Sequence, residues 1–424
     1  MDIREIAIEL YQSLLKGKTD TDFHFDGESQ EKAFVKRLVM TALRKQEFIK
    51  KIIQQYSAKP LPKKFGIEHF VLIVGAAELL YFSTPQYAIV SSYVNIIKKI
   101  GNKYAAGFVN AILRKMCIEH ENITRLSDTV FFPKSFRKIL ADDYRPQQIS
   151  AIEKFSALEP PLDITVKNNA PYWAEKLGGT LLPNSSVRLK NAGVVNDLPG
   201  YNDGQWWVQD MASSLAVTAL GDIRGKRVLD LCAAPGGKTA QLINAGGIVT
   251  ALDISETRVA RMKENLSRLN LNPQKIIVAD AIEFLKNGDE KFDIILLDAP
   301  CSATGTLRRH PEVVHLKTQT DVLQCSKLQR QMLELAADHL TEGGVLLYSV
   351  CSMSKTEGEK QIVSFTTSHD EFKIKPVDLR LIAGDNAQEL SELITEEGFL
   401  RCLPCYLSAI GGLDGFFIAT LQKE

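Results

Sequence analysis

Two cysteines close apolar runs in the second half of the chain: Cys301 in Asp298-Ala-Pro-Cys301-Ser302, and Cys351 in Ser349-Val-Cys351-Ser352. A thiol at a strand end can be a small buried hydrophobe, one half of a metal or redox pair, or a nucleophile that adds covalently to an electrophilic carbon. The metal reading is the weakest of the three, because the nearby His310 and His315 follow an Arg-rich loop without ligand spacing. Cys402-Leu-Pro-Cys405 has the spacing of a metal or redox half-site, but with no second pair and in a strand context coincidence is the better reading. A thiolate near neutral pH needs cationic surroundings, and Arg308, Arg309 and His310 in Gly305-Thr-Leu-Arg-Arg-His-Pro311 offer them on the loop that leaves Cys301. That loop is suited either to gripping phosphate or to simple solvation.

A second motif lies upstream. Val228 to Thr239 reads VLDLCAAPGGKT, an apolar run ending in Asp230, then small residues and paired glycines, then a polar helix start. This is the grammar of strand, tight turn and helix N-terminus, where a cofactor can lie against backbone amides and the positive end of the helix. A phosphate-binding loop ending in Gly237-Lys238-Thr239 would need glycine where Cys232 stands, and the dinucleotide pattern lacks its later glycine. A looser turn for a nucleoside-type cofactor remains. Asp253 and Asp280 end the next two apolar runs, placed to accept from a ribose diol and an adenine amino group, or to cap turns and helices. Arg258, just beyond Asp253, is suited to hold that loop by an ion pair.

These residues need elements to position them. From about residue 206, runs at 227–232, 248–253, 275–279, 292–298 and 345–350 alternate with helical segments such as 256–269 and 321–340, which predicts a parallel sheet covered by helices. The runs ending at Asp298 and Val350 should be neighbours, bringing both thiols to one edge. A last strand is expected at 415–421. Residues 1 to about 130 read as helices, with stripes Ile3, Ile6, Leu10, Leu14; Val35, Leu38, Val39, Ala42; and Tyr87, Val90, Val94, Ile97, punctuated by Pro60, Pro62, Pro85, Gly66 and Gly101. Between them, 136–144 reads as helix, 162–167 as strand, and Pro160-Pro161 as a boundary.

The chain has 424 residues, 45% hydrophobic and 24% charged, with zero formal net charge, which predicts two or three globular domains and argues against a generic polyanion binder. Charge is uneven: Lys32, Lys36, Arg37, Arg44, Lys45, Lys50, Lys51, Lys59, Lys63 and Lys64 crowd the first domain, either tracking a phosphate backbone or lying on solvated faces. The first residues lack signal-peptide order, and the most apolar stretch, 69–82, is short and interrupted by Glu78. A cytoplasmic protein with reduced thiols is expected, seven cysteines being an odd number without a signal.

The motifs 230–239, 298–302 and 349–352 together resemble those of the RNA 5-methylcytosine methyltransferases of the NOL1/NOP2/Sun family. The stretches 85–90 and 107–114 resemble the RNA-binding fold of the antitermination factor NusB, which within that family prefixes the enzymes acting on small-subunit (16S) ribosomal RNA. The resemblance implies an α/β fold: a NusB-like all-α domain (1–130), a small α+β bridging subdomain (131–205) and a seven-stranded Rossmann-like catalytic domain (206–424) whose last strand is antiparallel. It implies S-adenosyl-L-methionine as cofactor, bound by Cys232, Ala233, Ala234, Pro235, Gly236, Gly237, Lys238, Asp253, Arg258, Asp280 and Asp298, with Gln209 and Asp210 bracing its methionine end. It assigns Cys351 as nucleophile at cytosine C6, Cys301 as the group assisting release, and Asp298 as a hydrogen-bonding partner of the base. Such attack makes the otherwise inert C5 enamine-like, and the target base must be unstacked. The expected partner is small-subunit rRNA, unassembled or partly assembled, with no membrane, no metal and a monomeric state. Transfer RNA as substrate, or a non-catalytic RNA-binding assembly factor, are the rivals. Two positions depart from the family pattern: Val350 replaces its usual threonine, and Glu357-Gly358 stands for its Glu-Asn pair.

Overall fold

The computed structural model describes residues 2–18, 25–57, 66–100, 103–126, 131–190 and 192–424. Lys59, Lys63, Lys64, Pro60, Pro62, Gly101 and the expected boundary near 130 lie outside these described residues. The chain forms two compact units. One joins Met1–Leu158 with Leu307–Lys317, and the other joins Glu159–Thr306 with Thr318–Glu424.

The first unit is helical: α1 (Ile3–Leu14), α2 (Ser29–Tyr56), α3 (Ile67–Tyr81), α4 (Gln86–Lys99), α5 (Lys103–Ile118), α6 (His120–Arg125), α7 (Lys134–Ala141) and α8 (Pro146–Ser156). Asp2 caps α1 by accepting from the Arg4 amide, and Glu28 with Glu31 forms a capping box at α2. Helix α3 is apolar on nearly every face, so it is buried by its neighbours rather than lying on the surface. Its buried carboxylate, Glu78, takes two bonds from Arg4 (2.9 and 2.7 Å) and one from the Tyr93 hydroxyl (2.8 Å). The predicted apolar stripes form this core, with one exception: Tyr87, in the first turn of α4, is 80% exposed. Asn110 and Arg114 bond to each other.

The inserted segment Leu307–Lys317 is integral to this unit. Arg44 donates to the Arg308 carbonyl (2.7 Å), Gln46 Nε2 donates to His315 Nδ1 (3.0 Å), and His315 Nε2 donates to the Leu43 carbonyl (3.0 Å). Burial pushes the imidazole down to about 4, so it is held neutral. Arg308 is only 1% exposed, which corrects its reading as part of a solvated or phosphate-gripping loop: its side chain is packed away from water.

The second unit holds two sheets. A small antiparallel one, ordered β2-β3-β1-β4, uses β1 (Leu162–Val166), β2 (Thr180–Leu181) and β3 (Val187–Leu189) with β4 (Trp206–Val208), and carries α9 (Ala170–Lys176). Its Arg188 forks onto Asp163 at 2.7 Å twice and donates to the Ile410 and Gly412 carbonyls, tying the small sheet to the end of the chain. The large sheet follows α10 (Met211–Thr218). In chain order it uses β5 (Arg227–Leu231), α11 (Gly237–Asn244), β6 (Ile248–Asp253), α12 (Glu256–Arg268), β7 (Lys275–Val278), α13 (Ala281–Asn287) and β8 (Phe292–Asp298). After α14 (Val313–Leu316), which sits in the inserted segment, come α15 (Gln319–Asp338), β9 (Leu340–Val350), α16 (Glu359–Ser368), β10 (Phe372–Ile374), α17 (Leu379–Ala383), β11 (Leu400–Cys402) and β12 (Phe416–Lys423).

The order is β10-β12-β9-β8-β5-β6-β7, with β9, β8, β5, β6 and β7 parallel and β12 antiparallel to β9. The sequence missed β10 and β11, which share the outer edge of β12, at Phe372–Ile374 and Leu400–Cys402. Each is three residues long, too short for a period to register. Successive residues of β5 feed opposite cores: Val228 packs with Met211, Leu215 and Leu242, while Leu229 and Leu231 pack with Leu285, Leu333 and Ile362. A parallel sheet so covered leaves only its strand ends for ligands.

Candidate active site

The carboxyl ends of β5, β6, β7 and β8 open on a cavity of about 570 Å³. Its walls include Cys232, Ala234, Asp253, Arg258, Asp280, Asp298, Cys301 and Cys351, together with Ile254, Ile282, Leu328 and Met332. The volume lies within the range typical of small-molecule sites, with few polar groups among many apolar ones. Of the eleven residues assigned to the cofactor from sequence, Ala233, Pro235, Gly236, Gly237 and Lys238 do not line this cavity. They build the turn behind it. Gly236 has φ +97°, and a Cβ there would come within 2.6 Å of Met262, so this turn requires glycine. From the other side the turn is pinned by β6: Asp253 Oδ2 accepts from the Ala234 amide at 3.1 Å, and Arg258 donates to the Ala234 carbonyl and lies 3.6 Å from Asp253.

Lys238 is not the solvated helix-start residue that its position in the chain allows. It is 8% exposed, its ammonium lies 2.8 Å from Asp298 Oδ2, and it stacks over the Phe416 ring at 4.9 Å. Ser349 donates to the other Asp298 oxygen at 2.8 Å, so both carboxylate oxygens act as acceptors. Asp280 plays two parts, capping α13 through the Ile282 and Glu283 amides while facing the cavity. Beneath them Asp230 is fully buried, with Thr239 donating to Oδ2 at 2.6 Å and no partner on Oδ1. Burial pushes its carboxyl up to about 7, against the lowering effect of the Thr239 bond. Cys232 is pushed up to about 12 by burial, then by Asp298 and Asp253.

Strands β8 and β9 are indeed neighbours, and the two sulfurs they deliver, Cys301 Sγ and Cys351 Sγ, lie 3.3 Å apart. The Cys301 thiol is held well above its ordinary range, first by its bond to Cys351 and then by burial. Under the pair lies Glu357, fully buried, whose carboxylate accepts from the Ser302 amide (2.8 Å), Gln329 (3.0 Å), Ser352 (2.6 Å) and the Ser302 hydroxyl. Sequence reasoning noticed Glu357 only as half of a pair. The hydroxyl residue following each cysteine was the signal that could have found it.

Gln209 and Asp210 stand apart from the cavity. Gln209 accepts from Thr165 and Trp207 of the small sheet and donates to Gln241 of α11 at 3.1 Å, while Asp210 caps α10 and accepts from the Asp414 amide. Cys402 is buried in β11, and no group of three or more potential metal ligands occurs among the described residues. His315 is bonded within the helical unit, and His310 pairs with Glu312 at 3.3 Å. No helix among the described residues is long and apolar enough to cross a membrane.

Comparison with known proteins fixes the family. Residues 217–422 match the model described as 16S rRNA methyltransferase RsmB/F, and residues 1–117 match the NusB family. Ribosomal RNA small subunit methyltransferase B of Proteus mirabilis is 31% identical over 446 aligned residues, covering 99% of this chain and 97% of its own. The protein of that name from Serratia proteamaculans is 32% identical over 375 residues, covering 85% and 86%. The chain belongs to the RsmB/F methyltransferase family. Among solved structures, PH0851 superposes with a TM-score of 0.74 at 22% identity, covering 100% of this chain and 99% of its own. A methyltransferase homologue from Pyrococcus horikoshii gives 0.54 at 24% identity, covering 69% of this chain and all of its own. Both show the shared fold.

Within the RsmB/F framework the two departures acquire a physical reading. Val350 is fully buried in the sheet opposite Phe417, where its side chain serves the core and not the cavity. At Gly358, a Cβ would fall 2.3 Å from Arg401 Nη2 and 2.9 Å from Phe417. Arg401 pairs with Glu359 and donates to the Ser352 carbonyl at 2.6 Å, so here an arginine from β11 supports the loop after Cys351.

Proposed function

We propose that this protein forms 5-methylcytidine in small-subunit ribosomal RNA, using S-adenosyl-L-methionine and a covalent adduct between Cys351 and cytosine C6. The observation that carries the reading is the placement of two sulfurs 3.3 Å apart on the wall of one cavity with Asp253, Asp280 and Asp298. The cavity suits the cofactor: Asp253 lies below the turn for a ribose, Ile254 and Ile282 offer apolar faces for a purine beside Asp280, and Cys232 and Ala234 of the turn after β5 complete that wall. Bound S-adenosyl-L-methionine supplies an electrophilic methyl group at that wall.

The protein's own residues do the rest. Cys351 adds to C6, which breaks ring aromaticity and places electron density on C5. Asp298, fixed by Lys238 and Ser349, anchors the base. Release requires loss of the C5 proton and expulsion of the Cys351 sulfur. Once Cys351 is a thioether, the Cys301 thiol is suited to pass its own proton to solvent and, as the thiolate, to take the C5 proton while the Cys351 sulfur leaves with the C6–S electron pair. Its bond to Cys351 is the first cause of its raised value, and that cause is removed once Cys351 is a thioether. The helical unit, of NusB type, supplies the RNA-binding domain. A site of action alongside ribosomal RNA in the cytoplasm follows from the same reading.

The test is incubation with methyl-labelled S-adenosyl-L-methionine and unmodified small-subunit rRNA, followed by nucleoside mass spectrometry. Label in 5-methylcytidine is expected, and label in any other nucleoside overturns the reading.

A further inference from the structure

We propose that Glu357 is the positioning residue of the cysteine pair: its buried carboxylate ties the segment after Cys301 to the segment after Cys351 and selects which of the two sulfurs keeps the proton. The inference rests on the covalent reading above and goes beyond it by naming what makes two chemically identical thiols unequal.

The geometry is specific. Ser302 and Ser352, each the residue directly after a cysteine, converge on one oxygen, Glu357 Oε2. The Ser302 amide and Gln329 converge on Oε1, and Gln329 also donates to the Pro300 carbonyl at 2.9 Å, so the peptide before Cys301 is held as well. The Ser302 and Ser352 hydroxyls lie 3.2 Å from each other, Thr304 lies 3.1 Å from Ser352 and accepts from the Met353 amide, and the Gly305 amide donates to the Cys351 carbonyl at 2.9 Å. The Glu357 main chain is fixed in turn, its carbonyl accepting from the Tyr348 hydroxyl at 2.6 Å. Ser302, Thr304, Gln329, Ser352 and Glu357 are all fully buried. Such a network has one geometry, and the sulfur–sulfur distance is its consequence.

Electrostatics add direction. The side-chain donors to Glu357 are neutral, and the guanidinium that reaches this loop from β11, Arg401, pairs with Glu359 and donates to the Ser352 carbonyl. A carboxylate that is hydrogen-bonded but not ion-paired projects its field onto what lies next to it. That neighbour is Cys301, joined to the Ser302 amide that Glu357 holds: beyond the bond to Cys351, burial and the Cys351 charge, the Glu357 charge further disfavours a negative charge on the Cys301 sulfur. Cys301 therefore remains the donor of the sulfur–sulfur bond, and Cys351 the acceptor with the free electron pair.

The test uses the full chain at pH 7 and needs no RNA. Limiting iodoacetamide followed by peptide mass spectrometry gives the ratio of Cys301 to Cys351 alkylation, read alongside the kcat and KM of methyl transfer. In Glu357→Gln, which keeps the shape and loses the charge, the ratio rises at least tenfold and kcat falls at least thirtyfold, with KM for S-adenosyl-L-methionine within twofold. Glu357→Asp, which keeps the charge, restores the ratio to within threefold of the parent while kcat stays low. A ratio in Glu357→Gln within twofold of the parent overturns the proposal. If that variant does not fold, the parent protein carries the expectation: Cys351 is alkylated at least tenfold over Cys301, and equal alkylation of the two overturns the proposal. Because alkylation reports on the sulfurs alone, loss of 5-methylcytidine formation with the ratio behaving as stated would strike the covalent reading and leave the role of Glu357 standing.

Discussion

Each unit buries a glutamate completely, and the two are completed in opposite ways. Glu78, in the helical unit, takes a guanidinium fork from Arg4 and a hydroxyl from Tyr93, so its charge is cancelled where it stands. Glu357, in the catalytic unit, takes neutral side-chain donors and keeps its charge for its surroundings. The first arrangement joins helices; the second keeps two loops in register and acts on what lies beside them. A buried carboxylate therefore says little by its presence, and its partners decide whether it serves stability or reactivity.

That contrast is sharpest at the sulfurs. Cys351→Ala should lower methyl transfer by about 10⁴-fold or more while leaving the melting temperature in place, because it removes the proposed nucleophile from a cavity wall. Cys301→Ala should lower turnover by about 10²- to 10³-fold and cause a protein–RNA adduct to accumulate, visible as a species that survives denaturing electrophoresis. Absence of that adduct would put the two cysteines on an equal footing and remove the assignment of Cys301 to release.

In the helical unit the expected effects are on stability alone. Arg4→Met leaves Glu78 buried with its charge uncompensated and should destabilise the unit by about 3–5 kcal/mol in chemical denaturation, with S-adenosyl-L-methionine affinity unchanged. The double variant Arg4→Met/Glu78→Leu should recover most of that loss. A single variant as stable as the parent would mean that Glu78 is not held by its cation.

The two units should also respond to pH with opposite signs. His315, pushed down to about 4 when folded, favours the folded helical unit above its unfolded value near 6.5, and this contribution is lost as pH falls toward 4. Asp230, pushed up to about 7, favours the folded catalytic unit below its unfolded value near 3.8, and its contribution is lost as pH rises through 7. Between pH 7 and 5, hydrogen exchange should show protection falling in the helical unit and rising in the catalytic unit, each by about 1–3 kcal/mol. His315→Gln should flatten the first trend and Asp230→Asn the second. The smallest expected effect is that of Arg258→Ala, whose half-exposed pair with Asp253 should loosen the turn and weaken S-adenosyl-L-methionine binding about threefold to fivefold in calorimetry.

Much of this molecule could be read before it was seen. The strand ends at Asp253, Asp280 and Asp298 and the turn at Gly236 and Gly237 were legible because a parallel sheet puts every such end on one edge. The proximity of Cys301 and Cys351 followed from the same rule. The burial of Lys238 and Arg308 was not legible, since a local sequence presents a charged side chain as solvated unless its distant partner is known: Asp298 in one case, the helical unit in the other. Glu357 escaped for a related reason. Its four donor atoms are drawn from positions 302, 329 and 352, and no spacing rule joins them. Strands β10 and β11 escaped because three residues carry no period.

The segment Leu307–Lys317 has a consequence for how the chain is born. Protein chains emerge from the ribosome N-terminal end first, and a leading domain ordinarily folds before its successor is complete. Here the leading domain lacks its own last piece, His315 and the turn around it, until most of the parallel strands have been synthesised. The two units must therefore mature in an interleaved order. A gene fusion that exchanged the helical domain at the 158/159 junction would leave residues 307–317 behind as an orphaned insert in the other unit.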